Sequence, residues 1–245
     1  MTTNDSSMAN GILYGVSVGP GDPELITLKG LRSLQQAPVV AFPRGIQDKP
    51  GIAQQIIAPW LRSDQQQLPL DFPYVQDIEV LTKAWQLAAK QVWEYLQKGQ
   101  DVAFACEGDI SFYSTFTYLA QTLQQMYPAA VINYVPGVCS PMAAASALGL
   151  PLTVRQERLV VLPAIYNVNE LESILDWAEV VVLMKVSSVY EQVWQVLQRK
   201  SLLQHSWIVE RATLPNMVIY KDLAIARTYN YPTFLYSSSK SVVSD

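Results

Sequence analysis

A single histidine, two cysteines and a charged fraction of only 16% set the first limits on this 245-residue chain. The histidine, His205, and the separated Cys106 and Cys139 offer no ligand spacing for zinc, so no metal site is expected. A Ser-His-Asp triad would have to run through His205, in the connection Leu203-Gln204-His205-Ser206-Trp207, and no nucleophile elbow accompanies it. Two cysteines cannot build a disulfide framework; both lie in apolar surroundings and read as buried free thiols. GxxxxGK[ST] is missing, and so is GxGxxG after the first strand, which removes the P-loop and the ordinary dinucleotide site. No apolar run reaches membrane-spanning length: the stretch 179–189 is short and carries Lys185. Residues 1–10 lack a basic region followed by an apolar one, so no leader is expected and the chain is read as cytoplasmic. A net charge of -4 argues against a nucleic-acid partner.

Half of the residues are hydrophobic, enough to build one large core or two modest ones. Short apolar runs alternate with helical periodicity. Strands are expected at 12–18, 38–42, 102–106 and 131–135, with helices at 23–36, 77–98, 112–127 and 141–148. In the longest helix Ile78, Leu81, Trp85, Ala88, Val92 and Leu96 fall on one face, and Gly99 ends it. Beyond Gly149-Leu150 a second α/β pattern begins: strand 159–162, helix 169–177, strand 180–185, helix 189–198, strand 207–209. Short strands at 217–220 and 233–236 follow without a helix, so the second sheet is expected to be mixed. Two α/β domains, 1–150 and 151–245, are the expected organisation, with polar tails at 1–10 and 237–245.

Four places could carry chemistry. Gly15-Val16-Ser17-Val18-Gly19-Pro20-Gly21-Asp22-Pro23 closes the first strand. Asp22 and Pro23 are explained as an N-cap and first helical residue, which leaves Gly19-Pro20-Gly21 free to let another group approach the backbone. Cys106-Glu107-Gly108-Asp109-Ile110-Ser111-Phe112-Tyr113-Ser114-Thr115-Phe116 follows a buried strand and opens a helix, where backbone N–H groups gather; Asp109 alone would read as a helix cap. Val135-Pro136-Gly137-Val138-Cys139-Ser140-Pro141 is a third glycine turn after a strand, and Val182-Leu183-Met184-Lys185 closes a strand of the second region. In open α/β sheets ligands gather beyond the carboxyl ends of strands, where these segments lie.

Order and spacing say more than any one of them. A GPGDP turn, then GD-x-x-[FY]-Y, then PG-x-x-S, then a strand ending in Met-Lys resemble the tetrapyrrole methylase family, from about Gly11 to about Tyr236. Leu13-Tyr14-Gly15-Val16, Tyr113-Ser114-Thr115-Phe116 and Val209-Glu210-Arg211-Ala212-Thr213 look like the branch that methylates precorrin-2 at C(20). One departure is Ile110, where many members carry proline.

The resemblance implies two α/β domains with an S-adenosylmethionine cleft between them, a homodimer, and no role for nucleic acid or membrane. Pro20, Gly108, Asp109, Phe112, Cys139, Ser140, Met184 and Ala212 match the family's cofactor-contacting motifs. Asp109 would also orient the donor or lie near the carbon that sheds its proton. A tetrapyrrole bears many carboxylates, so basic loop residues are candidate partners: Arg44, Lys49, Arg155, Arg158, Lys185 and Arg211, at least half of which should be plain surface charges. Phe42, Tyr113 and Phe116 could pack on the ring, although core packing is the stronger expectation for Phe116. Metal-free precorrin-2 and its cobalt counterpart both stay open as substrates. Other tetrapyrrole methylases, relatives acting on ribosomal RNA or diphthamide, and a non-catalytic pigment carrier are the competing readings.

Overall fold

The computed structural model describes residues 9–45, 49–163, 168–223 and 234–238. They divide into two compact units, Met1–Cys139 and Ser140–Asp245. The division falls before the helix at 140–148, whereas the sequence reading puts the joint after it.

The first unit carries β1 (Ile12–Ser17), α1 (Leu28–Gln36), β2 (Val39–Pro43), α2 (Ile52–Ile57), β3 (Gln66–Leu70), α3 (Ile78–Leu96), β4 (Val102–Cys106), α4 (Thr115–Met126) and β5 (Val131–Val135). Its sheet runs β3-β2-β4-β1-β5, every pair parallel. Buried on both faces, β2 and β4 are continuous apolar runs, as parallel strands covered by helices should be. Alternate side chains serve opposite layers. Leu13, Val39, Ala41 and Phe104 pack with Ala88, Val92 and Leu96 of α3 and Phe116, Leu119 and Leu123 of α4. Val16, Val40, Phe42, Ala103 and Ala105 pack with Leu34 of α1 and Ile56 and Ile57 of α2. Phe42 and Phe116 are both core, at 1% and 0% exposure, so neither is available to a ring ligand.

Local chemistry moves two helix starts from their expected places. Asp22 caps only a 3-10 turn, Pro23–Leu25, by accepting from the Glu24 N–H. Thr27 then caps α1 through its hydroxyl, 3.1 Å from the Gly30 nitrogen. Ser114, not Asp109, caps α4, leaving Phe112 and Tyr113 outside the helix. α3 matches its expected span, capped by Asp77 and followed by Gly99 at φ +74°. Its expected apolar stripe is core only toward the end: Ile78 is 63% exposed.

The second unit comprises α5 (Ser140–Leu148), β6 (Leu159–Pro163), α6 (Val168–Leu175), β7 (Val180–Met184), α7 (Tyr190–Arg199), β8 (Ser206–Glu210), β9 (Val218–Tyr220) and β10 (Phe234–Ser238). Its sheet runs β6-β7-β10-β8-β9 and is mixed: β6 is parallel to β7, β10 antiparallel to both β7 and β8, and β9 antiparallel to β8. Leu171 of α6 and Val193, Val196 and Leu197 of α7 cover Val181, Leu183 and Ile208. The Trp194 indole N–H, 2.8 Å from the Leu223 carbonyl, is satisfied inside this core.

Candidate functional site

Because β4, β1 and β5 are adjacent and parallel, the segments that follow them leave the sheet side by side at one edge. Those segments are the three glycine turns. The Val18 N–H donates to the Cys106 carbonyl at 2.9 Å, carrying the ladder one residue past β1. Gly19 and Gly108 then form an antiparallel bridge: the Gly108 N–H donates to the Gly19 carbonyl at 2.8 Å, and the return bond is 3.3 Å. Gly108 has φ +72°, and a Cβ built on it would meet nothing within 4 Å, so its backbone faces open space.

Asp109 ties the turns together. Its Oδ1 accepts the Ser111 N–H at 2.8 Å and the Ser111 hydroxyl; its Oδ2 accepts the Gly137 N–H at 2.7 Å and the Ser17 hydroxyl at 3.4 Å. One carboxylate, 8% exposed, thus joins the end of β1, the turn after β4 and the turn after β5. Burial pushes its pKa up, but the Ser111 hydroxyl, the Gly137 and Ser111 N–H groups and the Ser17 hydroxyl outweigh that and hold the carboxyl below the usual carboxylate range. The Phe112 N–H goes to the Asp109 main-chain carbonyl, at 3.1 Å, and not to its side chain. Behind it, Cys106 Sγ lies 2.9 Å from the Ser114 hydroxyl, and burial pushes this thiol up to about 11, so it is a packing group and no nucleophile.

Within the second unit, β7 and β8 flank β10 and are both antiparallel to it, so they run the same way and finish at one edge. Met184 and Val209 sit level across Phe234. This brings Met184-Lys185 and Arg211-Ala212 to a common edge from strands far apart in sequence. Lys185, Arg211 and Thr213 all have left-handed backbones, at φ +58°, +52° and +66°. Such residues cost of order 1–3 kcal/mol each and concentrate where a ligand is held. Arg211 is kept in place by its Nε–H to the Asn216 carbonyl, 2.9 Å, and by the buried Glu210 carboxylate 3.4 Å from its guanidinium.

The cofactor candidates therefore fall into two groups. Gly108 and Asp109 are joined to the turns that bear Pro20 and Cys139, with Phe112 half-buried beside them; Met184 and Ala212 share the second unit's strand-end edge, and Ser140 opens α5. Tyr113 is 52% exposed, with φ +51° and its ring edge-on to Phe112 at 4.8 Å. Arg44 follows β2, next to β4, on the same edge as the clamp and paired with Asp71 at 2.9 Å. Arg158 is engaged elsewhere, with Glu179 at 2.8 Å and the Trp177 ring at 5.4 Å, and reads as a surface charge. Cys139 is half-buried, more open than its apolar neighbours suggest. His205 ends the 3-10 turn before β8, and among the described residues no group of three potential metal ligands occurs. No described helix is long and apolar enough to cross a membrane. Sequence reasoning missed Ser17, whose signal was a polar residue closing a buried strand.

Residues 12–224 match the family of Tetrapyrrole (Corrin/Porphyrin) Methylases. The chain is 35% identical to the cobalamin biosynthesis protein CobIJ of Mycobacterium tuberculosis over 84% of its own length, and spans 41% of that longer relative. It is 32% identical to the precorrin-2 C(20)-methyltransferase of Sinorhizobium sp, covering 86% of this chain and 88% of the relative. Among solved structures, the uroporphyrin-III C-methyl transferase from Thermus thermophilus complexed with S-adenyl homocysteine aligns with a TM-score of 0.66 at 21% identity, over 93% of this chain and 96% of that one. At that identity the likeness speaks for the fold.

Proposed function

The chain belongs to the tetrapyrrole (corrin/porphyrin) methylase family, and from that premise we propose that it transfers a methyl group from S-adenosylmethionine to C(20) of precorrin-2, free or carrying cobalt. The observation that carries the reading is the Asp109 clamp, which gathers three glycine turns at one sheet edge and leaves the Gly108 backbone open to a close-lying ligand. These residues fit a cofactor held largely by main-chain groups. The choice of C(20) is supported by the Sinorhizobium relative, similar over most of both chains, and by the run Tyr113-Ser114-Thr115-Phe116.

When bound, S-adenosylmethionine supplies a methyl already activated on a sulfonium, so what is asked of the protein is position and a dry site. Pro20, Gly108, Phe112, Cys139, Ser140, Met184 and Ala212, which match the family's cofactor-contacting motifs, are the residues assigned to it. Asp109 receives four hydrogen bonds from protein groups, which suits a residue that fixes loop geometry better than one that takes a proton from substrate. Arg44, Lys185 and Arg211 are assigned to the substrate's carboxylates and the exposed Tyr113 ring to its macrocycle. A cytoplasmic homodimer completes the reading, and light scattering on purified protein tests the assembly.

Incubating the purified chain with S-adenosylmethionine and precorrin-2, then repeating with the cobalt form, tests the reaction by mass spectrometry. Gain of one methyl by either pigment supports it. Methylation of uroporphyrinogen alone would place the chain elsewhere in the family, and pigment binding without transfer would make it a carrier.

A further inference from the structure

We infer that Ser17 is a positioning residue for this site: its hydroxyl takes the Ile110 N–H, gives its own hydrogen to Asp109, and so sets the turn that carries Gly108 and Asp109. The inference rests on the function proposed above.

Ser17 ends β1 with 0% exposure. A serine hydroxyl donates once and accepts up to twice. Here Oγ accepts from the Ile110 nitrogen at 2.8 Å and donates to Asp109 Oδ2 at 3.4 Å, two residues on one turn held by one group. Ile110 follows Asp109 in the turn closed by the Phe112 N–H on the Asp109 carbonyl, at 3.1 Å. That is the second position of a turn, where proline is readily accommodated. Isoleucine keeps the N–H that proline lacks, and Ser17 is where it goes.

The neighbours are shaped to the same contact. Gly15, two residues back on the same face of β1, leaves space for Ile110: a Cβ there would stand 2.0 Å from Ile110 Cδ1 and 2.4 Å from Phe116 Cζ. On the other side a Cβ on Gly137 would stand 2.5 Å from Ser17 Cβ, so the third turn closes directly over the serine and aims its N–H at the same Asp109 oxygen. Ser17 is thus the point on the sheet against which both later turns are registered. Cys106, whose thiol is raised by burial and by the nearby charges of Glu107 and Asp109, is unchanged in every variant below, as is Glu107.

The test is titration of the full chain with S-adenosylhomocysteine as a function of pH, for wild type, Ser17→Ala, Ile110→Pro and the double variant. Ser17→Ala should weaken binding by about fivefold to tenfold. It should also move the acid limb of binding to higher pH, because Asp109 loses a donor that favours its charged form; a cavity alone would not move that limb. Replacing Ser17 should cost less in the Ile110→Pro background, where the N–H it serves is gone. Ser17→Cys keeps the volume with a weaker hydrogen-bonding group and should follow the alanine variant, which covers the case in which Ser17→Ala does not fold. Wild-type affinity with an unmoved acid limb, or simply additive penalties, would overturn the inference. Failure of the wild type to bind S-adenosylhomocysteine would instead count against the proposed function. The pH dependence of unfolding would then judge Ser17: an acid limb shared by wild type and Ser17→Ala overturns its link to Asp109.

Discussion

Replacing Asp109 by asparagine removes one acceptor oxygen and puts an NH2 in its place. Asparagine would satisfy a simple helix cap, and on sequence grounds the variant should fold nearly normally. The geometry says otherwise. Oδ1 faces two donors of Ser111 and Oδ2 faces the Gly137 N–H at 2.7 Å, so either amide orientation sets a donor against a donor. If the amide oxygen stays with Ser111, the Gly137 N–H loses its partner in a part-buried position and the Ser17 hydroxyl must turn away. A hydrogen bond to a charged group is worth about 1.5–3 kcal/mol, and an orphaned buried donor costs about 1–3 kcal/mol. Counting the shared bond once and adding the weaker loss at Ser17, the variant should be about 2–4 kcal/mol less stable, measured by urea unfolding near neutral pH. The pH profile gives an independent check. The native carboxyl is held below its ordinary value, so its contribution is fully present above about pH 4 and is lost as pH falls through the native value. Asp109→Asn should lack that acid limb. A loss under about 1 kcal/mol with the limb unchanged would refute the role of Asp109 in holding the three turns together.

Three further outcomes follow from particular contacts. Gly137→Ala places a methyl 2.5 Å from Ser17 Cβ and should destabilise by about 1–3 kcal/mol while weakening S-adenosylhomocysteine binding, read by thermal unfolding and calorimetry. Met184→Leu should unfold within about 1.5 kcal/mol of wild type yet bind S-adenosylhomocysteine less tightly; unchanged affinity would make Met184 core only. Glu179 is held at about 2, chiefly by the Arg158 side chain and then by the Arg158 N–H. In Arg158→Ala its carboxyl should move part of the way back to the usual range in an NMR titration, with methyl transfer unaffected.

Much of this was legible in the sequence because the site lies at the ends of buried parallel strands. Apolar runs marked β1 and β4, the edge strand β5 showed as a short β-branched and aromatic stretch interrupted by Asn133, and each glycine turn followed one of the three. The mixed character of the second sheet was legible in two short strand-like runs, 217–220 and 233–236, with no helical period in the sequence between them. What escaped depended on tertiary partners. α2 is short, and β3, Gln66–Leu70, begins with two exposed glutamines, contains Pro69 and sits at the edge of the described sheet beside β2, so neither shows a clear period. Asp109 stood out, but its partners at Ser17 and Gly137 are remote in sequence, and the local pattern suggested a cap that Ser114 supplies. Phe42 looked available at a strand end and proved to be core, because β2 is covered on both faces.

The proposed reaction is methyl transfer to one carbon of one macrocycle. Supplying S-adenosylmethionine labelled with 13C in its methyl group, and taking the NMR spectrum of the product pigment, tests it in a single experiment. One new labelled carbon, bonded at C(20), is the expected result. A label at any other ring position, or none on either the metal-free or the cobalt-bearing pigment, would contradict it.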